Sequence, residues 1–192
     1  FVAAAGATAR LLPASAEARF QLDADSVRAH WNAHTRGVLL ASPSNPTGTS
    51  IARAEMAAIA ETVRAHGGVT LVDEIYLGLS YDEAFGHSAL AHGQDIVSIN
   101  SFSKYFSMTG WRLGWLVLPP ALVPAVEKLA QNLYICASSI AQHAARACFE
   151  AEYAPPNGEP TTPAMLDTFT IVPLPRARHA GSTVRITRIG PS

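Results

Sequence analysis

Cysteine is scarce in this sequence, with Cys136 and Cys148 the two present, and neither stands at a Cys/His metal-ligand spacing. That excludes a disulfide scaffold and fits a reducing compartment, the cytoplasm. Charge is also sparse and balanced, with 14 Lys and Arg against 15 Asp and Glu. Without a basic cluster the chain lacks the electrostatic footprint of a nucleic-acid or anionic-membrane binder. No apolar run approaches the roughly 20 residues that a membrane span requires. Residues 1–6 are apolar but short and follow no basic segment, so they do not read as a signal peptide. What is plentiful is apolar side chain: 48% of the 192 residues are hydrophobic. That share fills a core, excludes global disorder, and suits one sizeable domain or two small ones. With no initiator Met, the chain is expected to be a piece of a longer protein.

Short apolar runs alternate with helical periodicity, the pattern of an α/β fold with a mostly parallel sheet flanked by helices. Gly37-Val38-Leu39-Leu40-Ala41 reads as a buried strand that ends in the turn-rich Ser42-Pro43-Ser44-Asn45-Pro46-Thr47-Gly48. Met56, Ile59 and Val63 recur at helical spacing over residues 52–66, and Gly67-Gly68 stops that helix. Further strands are expected at 69–72, 95–100 and 115–118, and further helices at 121–132 and 138–150. Asp23 or Asp25 caps a short helix carrying Val27 and Trp31. Beyond residue 150, Pro155, Pro156, Pro160, Pro163, Pro173 and Pro175 interrupt every helical pattern. Short strands at 168–172 and 183–186 are the regular structure expected there.

Three of these strands finish in different polar groups. Asn45 follows the first, Asp73 ends the second, and Ser101 and Lys104 follow the third. Ligands of open α/β sheets bind beyond the carboxyl ends of the strands, so these groups point to one shared ligand.

The strings themselves are specific. Ser44-Asn45-Pro46-Thr47-Gly48, Asp73-Glu74-Ile75-Tyr76, Ser101-Phe102-Ser103-Lys104 and Met108-Thr109-Gly110-Trp111-Arg112-Leu113-Gly114-Trp115 occur in that order. Together they closely resemble the large domain of class I/II aminotransferases, the fold-type-I pyridoxal-phosphate enzymes. The Met-Thr-Gly-Trp-Arg form is most similar to the aspartate/aromatic/alanine branch. The resemblance covers residues 1–150, read as a partial cofactor-binding large domain. Residues 151–192 do not match the family and form a Pro-rich tail, which reads as a linker, a disordered terminus or aberrant sequence foreign to the preceding fold.

The resemblance implies pyridoxal 5'-phosphate as cofactor, amino acid and 2-oxo acid as substrates, and a homodimer. It makes Lys104 the amine that forms the Schiff base with the cofactor aldehyde and afterwards moves the proton from the substrate Cα. That amine must be partly neutral, which burial and cationic neighbours favour. Asp73 pairs with the protonated pyridine nitrogen, Asn45 and Tyr76 hydrogen-bond the ring oxygen, and Ser101 and Arg112 hold the phosphate. Taken singly, each has a plainer role: a surface lysine, a helix-capping carboxylate, a tight turn, a core tyrosine, a packed arginine. The match to the family's strings selects Lys104, and the joint spacing of Asn45 and Tyr76 with Asp73 favours the functional reading of that pair. Glu74 is expected to have a local structural role, and Ser103 is left open between structural and functional roles.

Other residues do not enter the site. His66, His87, His92 and His143 form no pair at metal-ligand spacing and are expected on the surface. Trp111, Trp115 and Tyr105 read as core or interface aromatics, Cys136 and Cys148 as buried apolar residues. The family's phosphate loop, its ring-stacking aromatic and a tyrosine from the second subunit belong upstream of residue 1. Val184-Arg185-Ile186 is faintly similar to the segment carrying the family's carboxylate-binding arginine, but Arg185 is left outside the site. On this reading the isolated chain is a truncated member with weak or no activity. The competing readings are a lyase or decarboxylase on the same fold, the aminotransferase-like domain of a cofactor-sensing transcriptional regulator, and a non-catalytic remnant.

Overall fold

A computed structural model describes residues 2–81 and 85–149. The expected strands at 168–172 and 183–186, Arg185 and the Pro-rich tail lie outside the described residues.

The first helix, α1 (Ala24–His30), starts where Asp23 accepts a hydrogen bond from the Ser26 N–H at 2.7 Å. Asp23, not Asp25, is therefore the cap, and these bonds hold its carboxyl below the usual range. Glu55 reinforces the same end by accepting the Ala24 N–H at 2.7 Å. The helix is short, and Trp31 already lies at its C-cap.

Strand β1 (Gly37–Ala41) leads through the Asn-Pro turn to helix α2 (Arg53–Ala65). Met56, Ile59, Ala60 and Val63 are buried along one stripe of α2, as the 3.6-residue period requires. The helix ends at His66 because Gly67 turns left-handed, with φ 68°. Strands β2 (Val69–Asp73), β3 (Ile96–Ser101) and β4 (Gly114–Val117) complete a four-stranded sheet in the order β1-β2-β3-β4. β1, β2 and β3 run parallel, in the register Ala41–Asp73–Ile99.

β4 runs antiparallel to β3. The connection between them closes like a hairpin, with the Phe102 N–H bonded to the Leu113 carbonyl at 3.1 Å, and has no crossover helix to return the chain in parallel. Helices α3 (Val123–Leu133) and α4 (Ser139–Ala147) follow.

Two apolar clusters hold these elements together. In the first, α1 and α2 cover one sheet face, packing Val27, Met56, Ile59 and Val63 with Leu40, Val72 and Ile96. Full burial of such side chains contributes about 1.5–3 kcal/mol each before conformational entropy is subtracted. Leu39, beside Leu40 on the opposite face, remains 47% exposed. In the second cluster Phe102, Met108 and Ala145 pack with Phe106, Leu113, Trp115 and Cys148, tying α4 to the β3–β4 connection.

Cys136 departs from the expectation of a buried residue: it is exposed. Ile135, left-handed at φ 67°, turns the chain out of α3 and leaves Cys136 on the surface between two helices. Cys148 is half-buried, its Sγ 3.4 Å from the Met108 sulfur. Of the histidines expected on the surface, His66 and His143 are exposed. His87 and His92 are half-buried, because their rings meet edge-on at 6.0 Å.

Arg64 of α2 forks onto Asp95, just before β3, with two hydrogen bonds of 2.9 Å. The guanidinium holds the Asp95 carboxyl below its usual range. An acid whose folded value is depressed stabilises the fold above its unfolded value, about 3.9, and loses that contribution as pH falls through the folded value. Both partners are substantially exposed, so solvent screening keeps the effect small. D95N is expected to cost about 0.5–1 kcal/mol near neutral pH, with the deficit fading in acid. Urea denaturation of both proteins across that pH range measures it.

Candidate active site

The parallel alignment of β1, β2 and β3 brings their carboxyl ends to one edge. The ladder continues past the strands: the Ser42 N–H bonds the Asp73 carbonyl at 3.0 Å, and the Glu74 N–H bonds the Ile99 carbonyl at 2.9 Å. Beyond β1 the chain reverses tightly, with the Gly48 N–H on the Ser44 carbonyl at 2.8 Å and the Ser44 N–H on the Thr49 carbonyl at 2.9 Å. Gly48 takes φ 68°, which suits a residue without Cβ. Peptide bonds 42–43 and 45–46 are cis. Below this turn, the buried Ser42 hydroxyl accepts the Ile51 N–H at 3.0 Å.

This reversal presents Asn45, whose Nδ2 donates to the Tyr76 hydroxyl at 3.3 Å. Lys104 Nζ lies 5.6 Å from the centroid of the Tyr76 ring, within reach of a cation–π attraction. Residues from the ends of three strands therefore meet at Tyr76. Asp73, half-buried, accepts the Ile75 N–H at 3.1 Å, an Asx-type bond that shapes the turn leading to Tyr76.

Ser101 ends β3, and Arg112 stands on the adjoining β3–β4 connection. Ser101 Oγ accepts the Ser103 N–H at 3.0 Å and donates to the Leu113 carbonyl at 3.3 Å. Arg112 is exposed and left-handed at φ 52°; its Nη1 donates to the Thr109 carbonyl at 2.9 Å. Among the described residues Arg112 makes no hydrogen bond to Asn45, Tyr76 or Lys104. Lys104 is itself exposed.

Two open cavities flank this edge. One, of about 530 Å³, is lined by Asn45, Tyr76, Ser44, Ser50 and Arg19, whose guanidinium lies 4.5 Å from the centroid of the Phe85 ring. The other, of about 890 Å³, lies between Arg112, Trp115 and helices α3 and α4. Asn45 and Tyr76 thus face the first and Arg112 the second.

Glu74 has the local structural role expected of it, through a network that is not visible in the sequence. Its side chain is buried and accepts four hydrogen bonds: from the Ser98 hydroxyl at 2.5 Å, the Ala89 N–H at 2.6 Å, and the Ser88 hydroxyl at 2.9 and 3.1 Å to its two oxygens. Burial pushes its carboxyl above the usual range, against the pull of these donors. The partners lie 14 to 24 residues downstream, a separation with no local signature.

The strand ends thus carry a primary amine, a carboxylate and an amide–hydroxyl pair, while Ser101 adds a hydroxyl and Arg112 a guanidinium on the side of the second cavity. Among the described residues no three His, Cys, Asp or Glu side chains cluster to hold a metal ion, and no helix is long and apolar enough to cross a membrane.

Such an edge defines an α/β protein whose polar side chains collect beyond the carboxyl ends of its parallel strands. The chain belongs to the aminotransferase class I and II family, whose model matches residues 1–155. It is 44% identical over 142 residues to the valine–pyruvate aminotransferase of Mycobacterium tuberculosis, covering 73% of this chain and 36% of that protein. It is 37% identical over 150 residues to the arginine–pyruvate transaminase AruH of Pseudomonas aeruginosa, covering 77% and 38%. The fold matches a crystal structure of an aminotransferase from Mycobacterium tuberculosis, with TM-score 0.74, 42% identity, and coverage of 79% of this chain and 39% of that one. An aromatic aminotransferase from Pyrococcus horikoshii OT3 superposes equally, with TM-score 0.74, 29% identity, and 79% and 42% coverage. The chain spans about a third of the length of the curated relatives it matches.

The Asn45–Tyr76 bond is exposed, so its net contribution sits at the low end of the 0.5–1.5 kcal/mol typical of hydrogen bonds. Y76F is expected to shift stability by less than about 1 kcal/mol with an unchanged denaturant slope, which urea titration checks.

Proposed function

We propose that the protein is a pyridoxal-phosphate-dependent aminotransferase that moves an amino group between an amino acid and a 2-oxo acid, with Lys104 as its catalytic amine. The observation that carries this reading is the approach of Lys104 to Tyr76, which itself bonds Asn45 and follows Asp73 by one turn. When bound, the cofactor supplies an electron sink for negative charge at the substrate Cα.

The chain's own residues do the rest. Lys104 would anchor the cofactor and, once the substrate amine has displaced it, its amine would move the proton from the substrate Cα to the cofactor C4′. Asp73 holds the proton on the ring nitrogen. Asn45 and Tyr76 donate to the ring oxygen. Ser101 offers a hydroxyl and Arg112 a forked donor to the phosphate, for which the Arg112 guanidinium needs to leave Thr109. Residues 1–150 form part of the cofactor-binding domain in this reading, with 151–192 outside it. A homodimer and a cytoplasmic setting belong to the same proposal and rest on the family resemblance.

The chain contains two lysines, Lys104 and Lys128, so the anchoring group can be mapped without ambiguity. Borohydride reduction after incubation with pyridoxal phosphate, followed by peptide mapping, is expected to place the label on Lys104. K104A should lose that label and lower transamination by about 10²–10⁴-fold or more. A label on Lys128 with Lys104 unmodified overturns the assignment.

A further inference from the structure

We propose that Glu74 is a positioning residue for the site: its buried carboxylate fixes the turn that carries Asp73 and Tyr76. This rests on the function proposed above for those two residues, but the observation that suggests it is independent. Glu74 follows Asp73 directly, and in an extended chain adjacent side chains point to opposite sides. Asp73 lies on the strand edge proposed to face the cofactor, while Glu74 turns into the protein, 3% exposed.

There it joins three separate pieces of chain: Ser98 of β3, the Ser88 hydroxyl and the Ala89 N–H at the start of a short helical turn, and its own strand end. Ser98 in turn accepts Asn100 Nδ2 at 2.7 Å, extending the network along β3. The main chain of Glu74 is held as firmly. Its N–H bonds Ile99 at 2.9 Å, and its carbonyl accepts the Leu77 N–H at 2.8 Å. Residues 73–77 are thus clamped by one side chain and two backbone bonds.

A group so placed does more than fill space. A leucine of similar size would leave the Ser98 and Ser88 hydroxyls and the Ala89 N–H without an acceptor, and buried orphan donors are costly. The segment has a simple way to relieve that cost: the turn after β2 shifts to let the donors find water or backbone. Asp73 and Tyr76 ride on that turn. Their placement therefore depends on a carboxylate that itself touches neither cofactor nor substrate.

The test separates this role from the function it serves. In the protein without cofactor, amide hydrogen exchange followed by NMR is expected to speed up by about tenfold in E74A at Ile75 and Leu77, with Ile59 of α2 unchanged. E74Q keeps an acceptor oxygen for Ala89, and the two serine hydroxyls can rotate to suit its amide, so it should restore wild-type exchange at both positions. With pyridoxal phosphate added, E74A should bind about tenfold more weakly and shift the visible absorbance of the bound cofactor, and E74Q should reverse both changes. Unchanged exchange at Ile75 and Leu77 in a folded E74A overturns the role of Glu74. If E74A does not fold, S88A, which removes one donor and leaves β3 intact, carries the same readouts and decides the role in the same way. If the wild type takes up no cofactor, the proposed function falls, and the exchange data still decide the role of Glu74.

Discussion

The site depends on three strands running in the same direction. Parallel pairing of β1, β2 and β3 places three carboxyl ends side by side, and the hydrogen-bond ladder carries one step past the strands through Ser42 and Glu74. Had any one strand been reversed, its terminal polar residue would lie at the far edge of the sheet. Asn45, Asp73 and Lys104 are distant in the chain, and the shared direction of the strands brings them to one edge of the sheet.

That direction is maintained by packing on one face. α1 and α2 cover Leu40, Val72 and Ile96, and the Arg64–Asp95 fork fastens α2 to the turn entering β3. The helices stand on the connections that precede β1 and β2, as crossovers in parallel sheets do. The second cluster, around Phe102 and Met108, does the corresponding work for the β3–β4 connection. Two small cores thus hold the two kinds of segment that bear the site: strand ends and one long turn.

Much of this is visible in the sequence, and physical reasons separate the legible from the hidden. β1 is legible at its observed bounds because a continuous apolar run between a polar segment and a Pro-rich turn has few other interpretations. α2 is legible through its spacing and its Gly67 stop. The α1 cap stays open between Asp23 and Asp25 in the sequence, since the choice depends on which carboxylate meets the Ser26 N–H. The reversal of β4 is hidden because it follows from the Phe102–Leu113 closure, a contact between residues 11 positions apart. Cys136 reads as buried, yet it is exposed, because Ile135 leaves the helix in a left-handed conformation that its residue type does not announce. The candidate residues Asn45, Asp73, Tyr76, Ser101, Lys104 and Arg112 are picked out by the four strings that resemble the aminotransferase family. The bonds of Glu74 to Ser88 and Ser98, and the approach of Arg19 to Phe85, are made only in three dimensions.

The segment that bears Lys104 is closed on itself. The Phe102 N–H reaches Leu113, the Met108 N–H returns to the Phe102 carbonyl at 3.0 Å, and the Ser107 N–H caps the Lys104 carbonyl at 3.0 Å. The aromatic residue two places before the lysine is sunk against α4, while the exposed amine stands at the end of four methylenes over the Tyr76 ring. Root and tip of this side chain therefore obey different rules: the root is bolted to the scaffold, and the tip is bounded by one ring and solvent. A substitution in the walls around Tyr76 would thus change what the tip meets and leave its pivot where it is.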